Sequence, residues 1–490
     1  MTRLPRAVVI PDGANSPYPV DPERWPDVAR RPRASAPRTA VARTVVDRAL
    51  ARLAVRTITP YDPRATTVTP EGPANTPTLT LHDPQAFYAR IGADGLIGFG
   101  ESYMADEWDS DDLVALLTTL ARHVDDLVPA PLRRLRGAWA HRRPPRDRNS
   151  LDGARQNIRR HYDLSNDLFA LFLDPSLTYS SAVFASLPAH DAALTAAQHR
   201  KIDQLLDLAR VGPGTRLLEI GTGWGELALR AAARGARVRT VTLSAEQQAL
   251  ATDRIRAAGL ADRVDVELRD YRETSGSYDA VVSVEMIEAV GPEYWPSYFA
   301  SLRGLLAPGG RAVLQAITMP HDRMLATART HTWISKYVFP GGLVPSREAI
   351  ARHSSAAGLD IVHDAGYGEH YAETLRLWRE KFLDAGEAVD ALGFDRVFRR
   401  MWELYLAHAE AGFRAHYLDV RQLVLTEAGR PGTGSDGAGR HGTGDDGEGR
   451  LGTGADKDGR LGTGADKDGR LGTGAGEDGR PANGAGRGPA

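Results

Sequence analysis

Cysteine is absent from all 490 residues. Its absence excludes disulfides, thiolate nucleophiles and Cys-ligated zinc. No apolar run approaches the roughly 18–20 residues that span a bilayer, so any lipid contact is expected to be peripheral. The chain does not open on a charged stretch followed by an apolar one, the mark of a secretory signal, and a cytoplasmic location is expected. An excess of charge is missing too: 61 Lys and Arg stand against 63 Asp and Glu, so the whole-chain field offers no argument for nucleic acid. What the chain does have, with 42% hydrophobic residues, is apolar material for at least two domains.

Composition divides the chain. Residues 1–40 are rich in Pro and Arg without an apolar period, which predicts a flexible arm. Residues 41–130 carry strand-like alternation in TLTLHD and a capped amphipathic pattern in DSDDLVALLTTLARHVDDL, which predict a small α+β or helical domain with possible lipid contact. Residues 131–150 hold Arg133, Arg134, Arg136, Arg142, Arg143, Arg146 and Arg148 around Trp139; a solvated basic linker and a contact with an anionic surface are both open. From 151 to 428, β-branched runs such as LLEIG, VRTVTL, VDVEL, YDAVVSV and RAVLQAI alternate with helical segments, which predicts an α/β domain with a mostly parallel sheet. From 429 to 490 a ten-residue Gly-rich unit recurs with almost nothing apolar to pack, so a disordered tail is expected.

Within the α/β part, LLEIGTGWGELALR reads as a strand, a loop with Gly221, Gly223 and Gly225, and a helix. Glycines let the backbone approach a ligand, and the helix start presents N–H groups to it. A nicotinamide enzyme would place a carboxylate at the end of the next strand. Here TVTLSAEQ offers Thr242, Ser244 and Gln247 instead, which weighs against that class without excluding it. Ligands in open α/β sheets sit beyond the carboxyl ends of the strands. The polar residues there are Glu219, Thr242, Asp270, Tyr271, Glu285, Glu288 and Gln315. Asp270 also suits a helix cap, and Glu285 and Glu288, three apart, also suit one exposed helical face.

The stretches HYDLSNDLFALFLDPSLTYSSAVF (161–184), LLEIGTGWG (217–225), VTLSAEQQ (241–248), SVEMIEAVG (283–291), FPGGLVPS (339–346) and HYAETLRLW (370–378) resemble the cyclopropane-fatty-acyl-phospholipid synthases and mycolic acid methyltransferases. GESYMADEWDSDDL (100–113) extends the resemblance over roughly residues 80–425. It implies a Rossmann-like S-adenosylmethionine-dependent methyltransferase fold with helices on both faces of the sheet. By motif, the cofactor site includes Tyr179, Ser180, Gly221, Gly223, Thr242 and Gln247, with Tyr271 near the adenine. His161, Tyr162 and Asp163 open the family's signature segment, although for His161 a purely structural role is equally open.

The resemblance also implies the substrate: the cis double bond of an unsaturated phospholipid acyl chain at the inner face of the membrane. In the cyclopropane synthases a bound bicarbonate serves as base, held by a Cys, a Glu, a His, a backbone group at an Ile and a Tyr. Glu288, Ile317 and Tyr371 match three of these. Ser181 stands in place of the Cys and Gln315 in place of the His. Both can hydrogen-bond an anion, but Gln315 cannot carry a proton. The implied products are therefore two, a cyclopropane ring or a methylene or methyl branch, the latter completed by a separate reductase. A non-catalytic lipid-binding relative and a homo-oligomer remain open.

Overall fold

A computed structural model describes residues 19–31, 34–59, 76–124, 144, 147–151, 153–154 and 165–429. The decapeptide tail, most of the arginine-rich stretch and His161–Asp163 lie outside the described residues.

The N-terminal part is a three-stranded sheet with helices. Strand β1 (Arg56–Ile58) runs parallel to β2 (Thr78–Leu81), and β3 (Trp108–Asp109) pairs antiparallel with β2. The helix Pro84–Asp94 starts where its sequence says it should: Pro84 occupies the first turn and the Asp83 carboxylate accepts from Ala86 N–H. The flexible arm expected over residues 1–40 is shorter than its composition suggests. A helix already runs over Ala36–Arg52, and the turn Pro26–Ala29 buries Val28, whose carbonyl accepts from the buried Arg90 at 2.6 Å. Proline at a first helical turn is compatible with order, so a Pro count alone misplaces the boundary.

Seven strands form the main sheet: β4 (Arg216–Ile220), β5 (Arg237–Thr242), β6 (Val264–Leu268), β7 (Tyr278–Val284), β8 (Leu306–Thr318), β9 (Leu359–Gly366) and β10 (Asp419–Glu427). Their order is β6-β5-β4-β7-β8-β10-β9. The first five are parallel; β10 pairs antiparallel with both β8 and β9. Successive side chains of β4 enter opposite cores, Leu217 with Ala228 and Leu205, Leu218 with Trp295 and Phe299. This is the double-sided burial that continuous apolar strands require. The chain leaves β4 toward β5 and returns to β7 on its other side, so a crevice opens at the carboxyl ends of β4 and β7.

A third, aromatic core gathers Phe169, Phe172, Trp378 and Trp402 with Phe87 and Trp108 of the N-terminal part. Arg400, in the helix Arg396–Arg414, donates to Tyr103 O at 2.6 Å and to Trp108 O at 2.9 Å, and its guanidinium lies 3.8 Å from the Tyr103 ring centre. The N-terminal part therefore shares its core with helices of the α/β part instead of folding round one of its own. The basic linker expected over 131–150 also ends early, because Asp147 and Asn149 are buried.

Candidate active site

The first polar region lies at the crevice. Gly221, Gly223 and Gly225 all take positive φ, at 97°, 52° and 89°. A Cβ on Gly221 would come within 2.8 Å of the Met286 side chain, so that glycine is required by space as well as by conformation. Burial pushes the Glu219 carboxyl up to about 8. Its Oε2 and the Tyr271 hydroxyl are buried and have no hydrogen-bond partner among the described residues. At the end of β5 the Thr242 hydroxyl donates to Gln247 Oε1 at 2.9 Å, so no carboxylate stands where a nicotinamide ribose would need one. The cavity lined by Glu219, Gly221, Gly223, Thr242 and Tyr271 fits S-adenosylmethionine. An acidic group suits the cofactor's ammonium, and the unpaired polar atoms await partners that a nucleoside can supply.

Leu177, Thr178, Tyr179 and Ser180, the start of LTYSSAVF, line the same cavity. The helix Leu194–Leu208 fixes this segment from behind: Gln198 Nε2 donates to Ser180 O at 2.8 Å and to Thr178 O at 3.2 Å. Lys201, one turn along and 1% exposed, donates from Nζ to Ser180 Oγ at 2.5 Å. Burial pulls the Lys201 ammonium down to about 8, against the attraction of Glu285, Asp174 and Glu219. The Tyr179 hydroxyl pairs with that of Tyr405 at 2.8 Å.

A second polar region adjoins the first. The Glu285 carboxylate receives three hydrogen bonds: Ser181 N–H at 2.9 Å and Gln315 Nε2 at 2.8 Å on Oε1, and the Tyr371 hydroxyl at 2.6 Å on Oε2. Burial raises Glu285 above the ordinary carboxylate range; the Tyr371 hydroxyl, Ser181 N–H, Lys201 and Gln315 all oppose that rise. Burial and the neighbouring Glu285 hold the Tyr371 hydroxyl well above its usual range, so it stays a donor. Glu288 Oε1 accepts from Ile317 N–H at 2.5 Å, while Oε2 is buried and unpartnered among the described residues. Burial and the charge on Glu285 push Glu288 up to about 8. Two such carboxyls titrate as a pair, with the charge on one opposing ionisation of the other.

All five residues expected at the base site, Ser181, Gln315, Tyr371, Glu288 and Ile317, thus meet at the ends of β7 and β8. Three of them close on a group that was not placed there from sequence, the Glu285 carboxylate. Ser181 contributes its backbone N–H, because its hydroxyl turns to Ala182 O at 3.1 Å. Glu285 itself has φ of 51°, a left-handed conformation held by its side-chain contacts. Lys201 and Gln198 were also missed. Their signal is two polar residues on the apolar face of an otherwise amphipathic helix, at the spacing of Ile202 and Leu205.

Residues 149–423 match the family model described as mycolic acid cyclopropane synthetase. Over 417 residues the chain is 54% identical to the tuberculostearic acid methyltransferase UfaA1 of Mycobacterium tuberculosis, covering 84% of this chain and 97% of that protein. Over 345 residues it is 34% identical to the cyclopropane-fatty-acyl-phospholipid synthase of Escherichia coli K12, covering 69% and 85%. Among solved structures, the cyclopropane synthase MmaA2 from Mycobacterium tuberculosis superposes with a TM-score of 0.51 at 31% identity, over 55% of this chain and 97% of that one. The mycolic acid cyclopropane synthase CmaA1 complexed with SAH and CTAB gives 0.51 at 30% identity, again over 55% and 97%. With the glycine crevice and the sheet order, these matches show that the chain belongs to the mycolic acid cyclopropane synthetase family, as an S-adenosylmethionine-dependent methyltransferase acting on lipid acyl chains.

Proposed function

We propose that this enzyme methylates the cis double bond of an unsaturated phospholipid acyl chain and yields a methylene branch, with the Glu285 carboxylate as its base. The observation that carries the reading is the set of three donors, Ser181 N–H, Gln315 and Tyr371, closed on a carboxylate of the chain itself. The relative UfaA1, named for a tuberculostearic acid product, supports the branch over the ring.

When bound, S-adenosylmethionine supplies an electrophilic methyl group, and bonding of that carbon to one alkene carbon, as its bond to sulfur breaks, leaves a cation on the neighbouring carbon. The aromatic core beside Tyr179 and Tyr371 excludes water from this cation. Glu285 lies fixed by its three donors, and each donor weakens it as a base. A hydride then has time to move from the methylated carbon to its neighbour. Glu285 next takes a proton from the new methyl group, whose C–H electrons become the C=CH2 double bond of the methylene branch. A separate reductase would saturate that bond. Glu288, pushed up to about 8, is mostly protonated at pH 7, so it adds little charge beside Glu285. No described helix is long and apolar enough to cross a membrane, in keeping with a peripheral approach to phospholipid at the inner face.

Glu285→Gly tests the assignment. The position favours glycine by its φ, so the backbone accepts the change, and the three donors are left around a carboxylate-sized space. Turnover on oleoyl phospholipid vesicles is expected to fall by about 10²–10⁴. Added bicarbonate or formate should restore part of it, with products read by mass spectrometry. Full turnover without added anion would show that Glu285 is not the base.

A further inference from the structure

Behind Gln315 stands a second glutamine that no sequence motif marks. β10 pairs with β8 in a register that sets Gln422 directly opposite Gln315, 107 residues earlier in the chain. Gln422 Nε2 donates to Gln315 Oε1 at 3.1 Å, and Gln315 Nε2 donates to Glu285 Oε1 at 2.8 Å. Neither glutamine is open to solvent, at 0% and 2% exposure. Across the other edge of β10 the residue opposite Gln422 is Ala365, which offers no polar side chain, and Gln422 Oε1 has no partner among the described residues.

We infer that Gln422 is a positioning residue: it holds the Gln315 amide with its NH2 toward Glu285, and so keeps the proposed base ionised. This rests on the reading of Glu285 as the base. The two amides form a directional chain in which each NH2 points toward the carboxylate. Turning Gln315 over would set its carbonyl against Glu285 and would break the bond from Gln422 Nε2 unless Gln422 turned with it. Without Gln422 the Gln315 carbonyl becomes a buried acceptor with no donor, so the side chain held by Glu285 and Ser181 O alone gains reason to turn away and its bond to Glu285 weakens. A donor withdrawn from an ionised carboxylate raises the carboxyl's pKa. The base is then protonated over more of the acidic range.

The test is the pH dependence of kcat for Gln422→Leu on oleoyl phospholipid vesicles. The acid limb should move to higher pH by about one unit, with turnover approaching the parent's on the alkaline side. S-adenosylmethionine binding by titration calorimetry should stay within about twofold, because Gln422 does not line the cofactor cavity. Gln422→Met should shift the limb likewise, and Gln315→Leu should reproduce the shift without adding to it in the double variant. A profile that superposes on the parent's, or one lowered by the same factor at every pH, overturns the inference, as do additive shifts. Failure of the base assignment is separate: it shows as retained turnover in Glu285→Gly, whatever Gln422 variants do.

Discussion

Two polar regions share the carboxyl edge of this sheet and differ in how they are satisfied. In the crevice after β4, Glu219 Oε2 and the Tyr271 hydroxyl are buried without partners among the described residues. A few residues away, the Ser181, Gln315 and Tyr371 donors are all matched, and the group that matches them is Glu285. Unpaired buried polar atoms cost the free protein stability, and a ligand that supplies their partners recovers it. Around Glu285 the three donors are matched, and the atoms there without a partner among the described residues, Glu288 Oε2 and Gln422 Oε1, lie beside or behind that closed cluster. The crevice therefore looks built for a molecule that comes and goes, and the Glu285 cluster for a group that stays.

Perturbing each region separately sharpens this contrast. The largest effect after the loss of Glu285 itself is expected from Tyr371→Phe, which removes the donor on Glu285 Oε2. A hydrogen bond to a charged group is worth about 1.5–3 kcal/mol, so kcat should fall roughly 10- to 100-fold while cofactor affinity holds. Steady-state kinetics beside calorimetry would show the split, and equal losses in both would merge the two regions into one. Glu219→Gln should do the reverse: because the free Glu219 carboxyl is pushed up to about 8, affinity for S-adenosylmethionine should weaken more above pH 8 than at pH 7, with the ratio of branched to cyclic product unchanged by mass spectrometry. A changed ratio would mean that the crevice reaches into the chemistry.

Glu288→Gln should have the smallest effect on rate. Glu288 is pushed up to about 8, so at pH 7 it is mostly neutral and the amide resembles its working form. Turnover at pH 7 should stay within a few-fold. Stability supplies the sharper readout. Between the ordinary carboxylate pKa and about 8 the folded protein holds a proton on Glu288 that the unfolded chain has lost, so the group makes stability fall as pH rises. The variant lacks that slope, and its Tm advantage over the parent should grow by a few degrees from pH 5 to pH 8. An advantage constant with pH would place the Glu288 pKa in the ordinary range.

How much of the site was legible depended on how local its signal is. The glycine loop declares itself because strand, turn and helix requirements fall within ten consecutive residues. The Thr242–Gln247 pair, five apart, lies inside one strand-to-helix turn. Glu285 was legible as a polar residue at a strand's carboxyl end, with an exposed helical face as the alternative, and not as the point where donors meet. SVEMIE is consistent with a solvated helical face, and nothing in it says that three donors from residues 181, 315 and 371 will converge there. Lys201 left a fainter trace, a cation on the apolar side of a helix. Gln422 left none, since a glutamine within a β-rich run is as compatible with an exposed face as with a buried one. The arm's boundary was misread for another reason: proline and arginine lower the expected order of a segment, yet Arg90 binds the Asp27 and Val28 carbonyls and the shared core takes in Val20, Trp25 and Val28.

Sequence by itself determined the mostly parallel α/β sheet and the glycine crevice, because strand alternation and left-handed turns are properties of short segments, and its motifs supplied the residue types of the proposed base site. Only the tertiary structure decided what those donors bind. Pairing β10 against β8 puts Gln422 opposite Gln315, and the ends of β7 and β8 bring Glu285 within reach of Ser181 and Tyr371. That choice between an exchanging anion and a resident carboxylate rests on distances between residues far apart in the chain, which no local preference encodes.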